Sequence, residues 1–230
     1  MNEGPLSPDI LFHLGPVPIA RQVVTTWGVG LFLLLLGMLA FGPAGARYPR
    51  LRAAVELLVE FERAQLRAVL QEDADRYLPF LGSLFLFLLC SNLLGIIPGL
   101  APPTAHPETP AALALLVFLL VHIEGLRVRG ILGHLQEYLR PNILLLPIHI
   151  VSELSRTFAL AVRLFGNIAS HELVIGVLLS IAGLLVPVPF LLLSILIGLV
   201  QAYIFTILAT VFLAAAIGRA AEGEAPEEGT

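Results

Sequence analysis

Two apolar segments of unusual length, roughly residues 143 to 185 and 188 to 218, follow one another with only the turn VPVP between them. Beyond Pro147 the first has no proline as far as Leu185. As one helix it would extend on the order of 55 Å at 1.5 Å per residue, nearly twice a hydrocarbon layer of about 30 Å. Two arrangements meet that length: a helix broken at Gly166 or Gly176, or an unbroken helix lying steeply tilted beside the last one. The tilted hairpin is the preferred expectation, because it leaves the polar residues of both segments facing one partner. In the middle of the first segment, inside AVRLFGNIASHELV, stands Arg163, whose guanidinium is effectively always protonated.

Composition identifies the solvent. The 230 residues are 57% hydrophobic and 13% charged, and the mean hydropathy is +0.91. A soluble domain carries about 25% charged residues, so the chain is read as an all-α integral membrane protein. Every basic residue is Arg, the formal net charge is only -4, and the one block of like charge is the acidic tail EGEAPEEGT, expected to be disordered. This excludes a nucleic-acid partner. The lone Cys90 provides neither a disulfide framework nor a thiolate metal cluster.

Residues 1–22 precede the first membrane helix, 23–41, which carries Trp27 as an interfacial anchor. Its leader lacks a basic start and a cleavage site, so the span is read as retained. In 47–76, Leu51, Val55, Leu58, Val59, Leu66, Val69 and Leu70 follow helical spacing, with Glu56, Glu60, Arg63 and Arg67 on the other side. This predicts an amphipathic helix on the membrane surface or against a partner. Second and third spans with a Pro-rich loop between them fill 78–124; a polar loop is expected over 125–142, the long hairpin over 143–218 and the tail over 219–230. Arginines cluster after the first and third spans and are missing from the 99–110 loop and the VPVP turn. Positive-inside reasoning places the N-terminus outside and the C-terminus in the cytoplasm, which five membrane-embedded helices satisfy.

At 100° per residue, Arg163, Asn167 and His171 fall at about 0°, 40° and 80°, with Arg156 near 20° and Glu153 near 80°. Glu172 falls roughly opposite Arg163. On the last segment Ser194, Gly198 and Gln201 share one face. Snorkelling explains Arg163 poorly, since the residue is far from both ends of its segment. A structural ion pair with Glu153 or Glu172 is the second bland account. The functional account of an intramembrane ionisable residue is an ion pathway or a counter-ion for a carboxylate. His149 and Glu153, at i and i+4, line a cytoplasmic route or form a helix-end pair. His106 reads as a solvated loop residue, and His122 and Glu124 as the interfacial end of the third span. No nucleotide-binding Gly-rich loop, metal-ligand cluster or nucleophile-base arrangement is present in the sequence.

The blocks SRTFALAVRLFGNIASHELV, LVQAYIFTILATVFL, NLLGIIPG, PPTAHPETPAALAL and PVPIARQVVTTW occur in this chain. Together they resemble the subunit a family of the F-type ATP synthase membrane sector, over nearly the whole chain. The resemblance implies a stator subunit in a bacterial-type plasma membrane, without a cofactor. Its implied partners are a ring of c subunits, the b subunits of the peripheral stalk, the rest of the synthase and membrane lipid. Carried over residue by residue, Arg163 matches the family's essential arginine, Asn167 the asparagine one turn later, Gln201 the glutamine of the last helix, Glu172 the acid nine residues after the arginine, and Asn92 an asparagine of the outer half-channel. Two positions depart from the pattern. Ser194 stands where some relatives have a histidine, with His171 adjacent to Glu172 instead, and Arg156-Thr157 stands where relatives often have Lys-Pro.

The implied chemistry is transfer of a proton, or of sodium, through two offset half-channels that meet at a carboxylate on the moving ring. Asn92, His171 and Glu172 would serve the outer side, and His149, Glu153 and Arg156 the cytoplasmic side. A self-contained channel or secondary transporter is the alternative, although the two halves show no internal repeat. A structural scaffold leaves Arg163, Asn167 and Gln201 unexplained.

Overall fold

In the computed structural model, the backbone is described for residues 10–14, 17–42, 47–95, 102–139, 146–182 and 187–223. Side chains at 10–19, 72, 132, 134–139, 171–172, 179–182, 187–188 and 219–223 fall outside that description. Six α-helices carry the fold: α1 (Arg21–Phe41), α2 (Pro49–Leu70), α3 (Ala74–Leu94), α4 (Glu108–Leu139), α5 (Leu146–Ala182) and α6 (Pro187–Gly223). All but α2 contain a stretch long and apolar enough to cross a membrane, in agreement with the five expected spans. An antiparallel hairpin of β1 (Ile10–Leu14) and β2 (Val17–Ala20) precedes them. It adds a small β element to the all-α expectation, from two short runs rich in the apolar types that strands favour.

Helix ends follow local chemistry. Pro49 opens α2 and Pro187 opens α6, where the missing N–H of proline has no intrahelical partner to lose. At the end of α2, Gln71 adopts φ 53°, and a 3-10 turn, Gln71–Asp73, leads directly into α3. Arg63 and Arg67 of α2 both reach Asp75 of α3, each at 3.0 Å, across that corner. The stretch 125–142, expected as a loop, is helical through Leu139; Gly130, at φ 69°, kinks α4 without ending it. Glycine reaches that backbone region without the Cβ clash that deters other residues.

Helix α5 runs unbroken through Gly166 and Gly176 for 37 residues, and α6 has the same length. A helix of this length exceeds the hydrocarbon thickness unless it tilts or protrudes. Helix α6 packs on α3, α4, α5 and α2, and α4 also packs on α5. The buried side of α6 repeats at helical spacing through Gly198, Gln201, Ala202, Phe205, Thr206, Ala209, Thr210 and Leu213. Small residues there let neighbouring backbones approach closely. Thr206 and Thr210 donate their hydroxyls to the carbonyls of Ala202 and Thr206 at 3.0 and 2.8 Å. Facing them, α3 buries Tyr77, Leu81, Leu84, Phe85, Leu88 and Ser91.

Candidate functional site

Three of the polar residues singled out in α3, α5 and α6 lie in hydrogen-bonded positions between helices. Asn92, near the C-terminal end of α3, donates Nδ2 to the Gly198 carbonyl of α6 over 2.8 Å, and Thr104 lies 3.4 Å from Asn92 Oδ1. One turn along α6, Gln201 is 2% exposed, and its Oε1 accepts a hydrogen bond from Asn167 Nδ2 of α5. Arg163 stands one turn before Asn167. The tertiary fold thus strings Asn92, Gly198, Gln201 and Asn167 along the α3–α6–α5 seam. Two buried polar atoms on this seam, Gln201 Nε2 and Ser91 Oγ, have no hydrogen-bond partner among the described residues. Such atoms are unusual enough to require a reason.

Arg163 itself is exposed and makes no ion pair or hydrogen bond among the described residues. Of the two ion pairs a structural role offers, the one with Glu153 does not form, and the Glu172 side chain lies outside the described residues. Around Arg163 the same helix exposes Leu154, Phe158 and Val162, at 56%, 70% and 47%. The guanidinium therefore projects from an apolar surface rather than into the helix bundle.

The remaining residues scatter. Arg156 places its guanidinium 5.1 Å above the Phe212 ring of α6, a cation-π contact. Glu153 is half-buried, His149 exposed, and Thr157 Oγ1 donates to the Glu153 carbonyl at 3.2 Å. Ser194 donates to its own helix at the Phe190 carbonyl, 2.8 Å. His171 and Glu172 lie on α5, and their side chains are outside the described residues. His106 follows a 3-10 turn, Pro103–Ala105.

Two buried acids lie apart from this seam, one named in the sequence reading and one missed by it. Glu124, read as interfacial, is 6% exposed and buried between α3 and α4. Tyr77 Oη donates to its Oε2 at 2.8 Å, Arg76 approaches at 3.2 Å and Arg127 at 3.5 Å. The other is Glu62 on α2, 2% exposed, with neither oxygen hydrogen-bonded among the described residues. Burial pushes its carboxyl up to about 7. Helical spacing carried a signal for Glu62: it falls in the Val55, Leu66, Leu70 seam, not on the face of Glu56 and Glu60.

Comparison with known proteins agrees with this architecture. The family model described as ATP synthase A chain matches residues 23–214. The chain is 48% identical over 228 residues to "ATP synthase subunit a 2" of a Bradyrhizobium species, covering 97% of this chain and 100% of the relative. It is 43% identical over 222 residues to "ATP synthase subunit a 1" of Hahella chejuensis, covering 96% and 94%. To "ATP synthase subunit a 2" of Acaryochloris marina it is 42% identical over 221 residues, covering 92% of each. With a family model that spans most of the chain and relatives 42–48% identical over nearly their whole length, this protein belongs to the ATP synthase A chain family.

Proposed function

We propose that the chain is the stator subunit a of an F-type ATP synthase, a non-catalytic membrane subunit that couples ion flow to rotation of a ring of c subunits. Arg163 is the observation that carries this reading. A guanidinium on the exposed apolar side of a membrane helix, without an ion pair among the described residues, is expensive in lipid, and a carboxylate on a neighbouring subunit would meet it.

The reading assigns each group a task. A ring carboxylate that has bound a proton is neutral and tolerates hydrocarbon, whereas the bare carboxylate does not. When the site comes opposite Arg163, the positive charge stabilises the ionised form and lowers its proton affinity. The ion then leaves toward the cytoplasmic side. The same charge repels a cation passing straight between the half-channels. Asn167 and Gln201, bonded to each other, hold the α5–α6 surface around the arginine. Asn92 lies toward the outer route with His171 and Glu172, and His149, Glu153 and Arg156 toward the cytoplasmic one, the N-terminus being outside. The gradient supplies about 2.3 kcal/mol per elementary charge per 100 mV, so several ions drive each ATP.

ATP-driven transport by the whole complex in vesicles tests this, with acidification and sodium uptake followed separately. Arg163→Ala is expected to abolish coupled transport with assembly intact. Undiminished transport by an assembled Arg163→Ala complex would return the arginine to a structural role, and ion movement by the chain reconstituted alone would favour a self-contained channel.

A further inference from the structure

Glu62 has no place in the ion path, yet it is the most deeply buried acid among the described residues. It lines a groove of about 310 Å³ between α2 and α3, walled by Leu58, Val59, Leu78, Pro79 and Phe85. The one nearby hydroxyl, on Ser83, already donates to the Phe80 carbonyl at 2.8 Å. A carboxylate without hydrogen bonds or a counter-charge is costly in such surroundings, whereas the neutral acid is tolerated.

Among the described residues, the charged groups of α2 and of the elements packed against it pair with other groups or are exposed. Within α2, Arg52 pairs with Glu56, Arg63 with Glu60 and Asp75, and Arg67 with Asp75. On α3, Arg76 and Tyr77 turn to Glu124. On α6, Tyr203 Oη donates to Gln65 Oε1 at 3.0 Å. Helix α1 carries only Arg21, at the end away from α2, and Asp73 is exposed on the 3-10 turn. Burial alone, uncompensated by charge, holds the Glu62 carboxyl near 7.

We propose that Glu62 is a proton-binding site separate from the ion path: protonated, it seats α2 on α3; ionised, it leaves the groove and frees α2. The step is a simple ionisation, with the carboxylic proton passing to water. Its effect has a direct route to the seam. One turn beyond Glu62, Gln65 accepts the Tyr203 hydroxyl, and the Phe61 ring lies 6.3 Å from that of Tyr203. Tyr203 is two residues beyond Gln201, so α2 braces the part of α6 that bonds Asn167. The seating of α2 stands on this geometry alone, and only its consequence for transport rests on the stator reading.

Hydrogen exchange of α2 amides in the assembled complex, corrected for the intrinsic rate at each pH, tests the site. The expected result is exchange about tenfold faster at pH 8 than at pH 6, from the tenfold change in equilibrium per 1.4 kcal/mol of proton linkage. Glu62→Gln, neutral and nearly isosteric, should remove that dependence while keeping the pH 6 protection, and the carboxylic carbonyl infrared band that titrates in the wild type should vanish. The same pH response in Glu62→Gln, or none in the wild type, overturns the proposal. Arg163→Ala separates the two readings, because α2 should still respond to pH in that complex whether or not coupling is lost.

Discussion

Asn92 and Gly198 are in contact at a spacing that leaves no room for a larger residue. The asparagine amide donates to the glycine carbonyl at 2.8 Å, and a Cβ at position 198 would meet Asn92 Cβ at 3.0 Å. Gly198→Ala is expected to push α6 from α3 and destabilise the protein by about 1–3 kcal/mol, the range for overpacking a close contact. Unfolding in detergent measures it. Combined with Asn92→Gly, which removes the obstructing Cβ, the effects should fall short of additive; strict additivity would show that the contact is not the cause.

Asn167 and Gln201 form a side-chain hydrogen bond between α5 and α6. A double-mutant cycle with Asn167→Ala and Gln201→Ala should give a coupling of roughly 0.5–1.5 kcal/mol, the usual net value of such a bond. Gln201→Leu is expected to be better tolerated than Asn167→Leu. It also removes the unpartnered, buried Nε2, whereas loss of Asn167 leaves both polar atoms of Gln201 unsatisfied.

Glu124 joins α3 to α4 through Tyr77, Arg76 and Arg127. Tyr77→Phe removes one hydrogen bond and is expected to destabilise by about 1–2 kcal/mol. Glu124→Ala should be worse, at about 2–3 kcal/mol, because it leaves the Tyr77 hydroxyl without its acceptor and also removes the carboxylate from Arg76 and Arg127, whose partly exposed guanidinium groups then turn to water. The two variants compared by denaturant unfolding check the order, and an equal loss would remove the arginines from the account.

Glu62 gives stability a pH dependence of definite sign. Its carboxyl titrates near 7 in the folded chain against a reference of 4.5, so the native state binds the proton more tightly. The stabilisation is complete below about pH 4.5 and is lost as pH rises through about 7, a span of roughly 3 kcal/mol. Glu62→Leu should flatten the unfolding midpoint across this window and leave the protein more stable than wild type above it. A wild-type midpoint that rises with pH there would contradict the assignment.

Periodicity explains why much of this was legible without coordinates. Apolar runs near 20 residues place α1, α3 and the first part of α4, and the lack of proline beyond Pro147 anticipates an unbroken α5. The 3.6-residue repeat puts Arg163 and Asn167 on one stripe. The polar composition of 125–142 was misleading because a polar helix end and a loop look alike in sequence. Only the Gly130 backbone angle marks where α4 bends.

What the amino-acid order determined by itself is the solvent, the helices and the direction each side chain takes about its own axis, since these follow from local hydropathy and backbone geometry. Which helix covers that direction is a property of the assembled bundle. Asn167 and Arg163 share a stripe, yet one bonds Gln201 and the other projects from the apolar surface. Glu62 sits in a seam whose apolar members predict burial, but the absence of any partner for its carboxyl emerges only when α3 presents Leu78, Pro79 and Phe85 against it. Rotation and sliding of one helix on another are decided by close contact between distant segments, such as Asn92 with Gly198, and no local pattern encodes that choice.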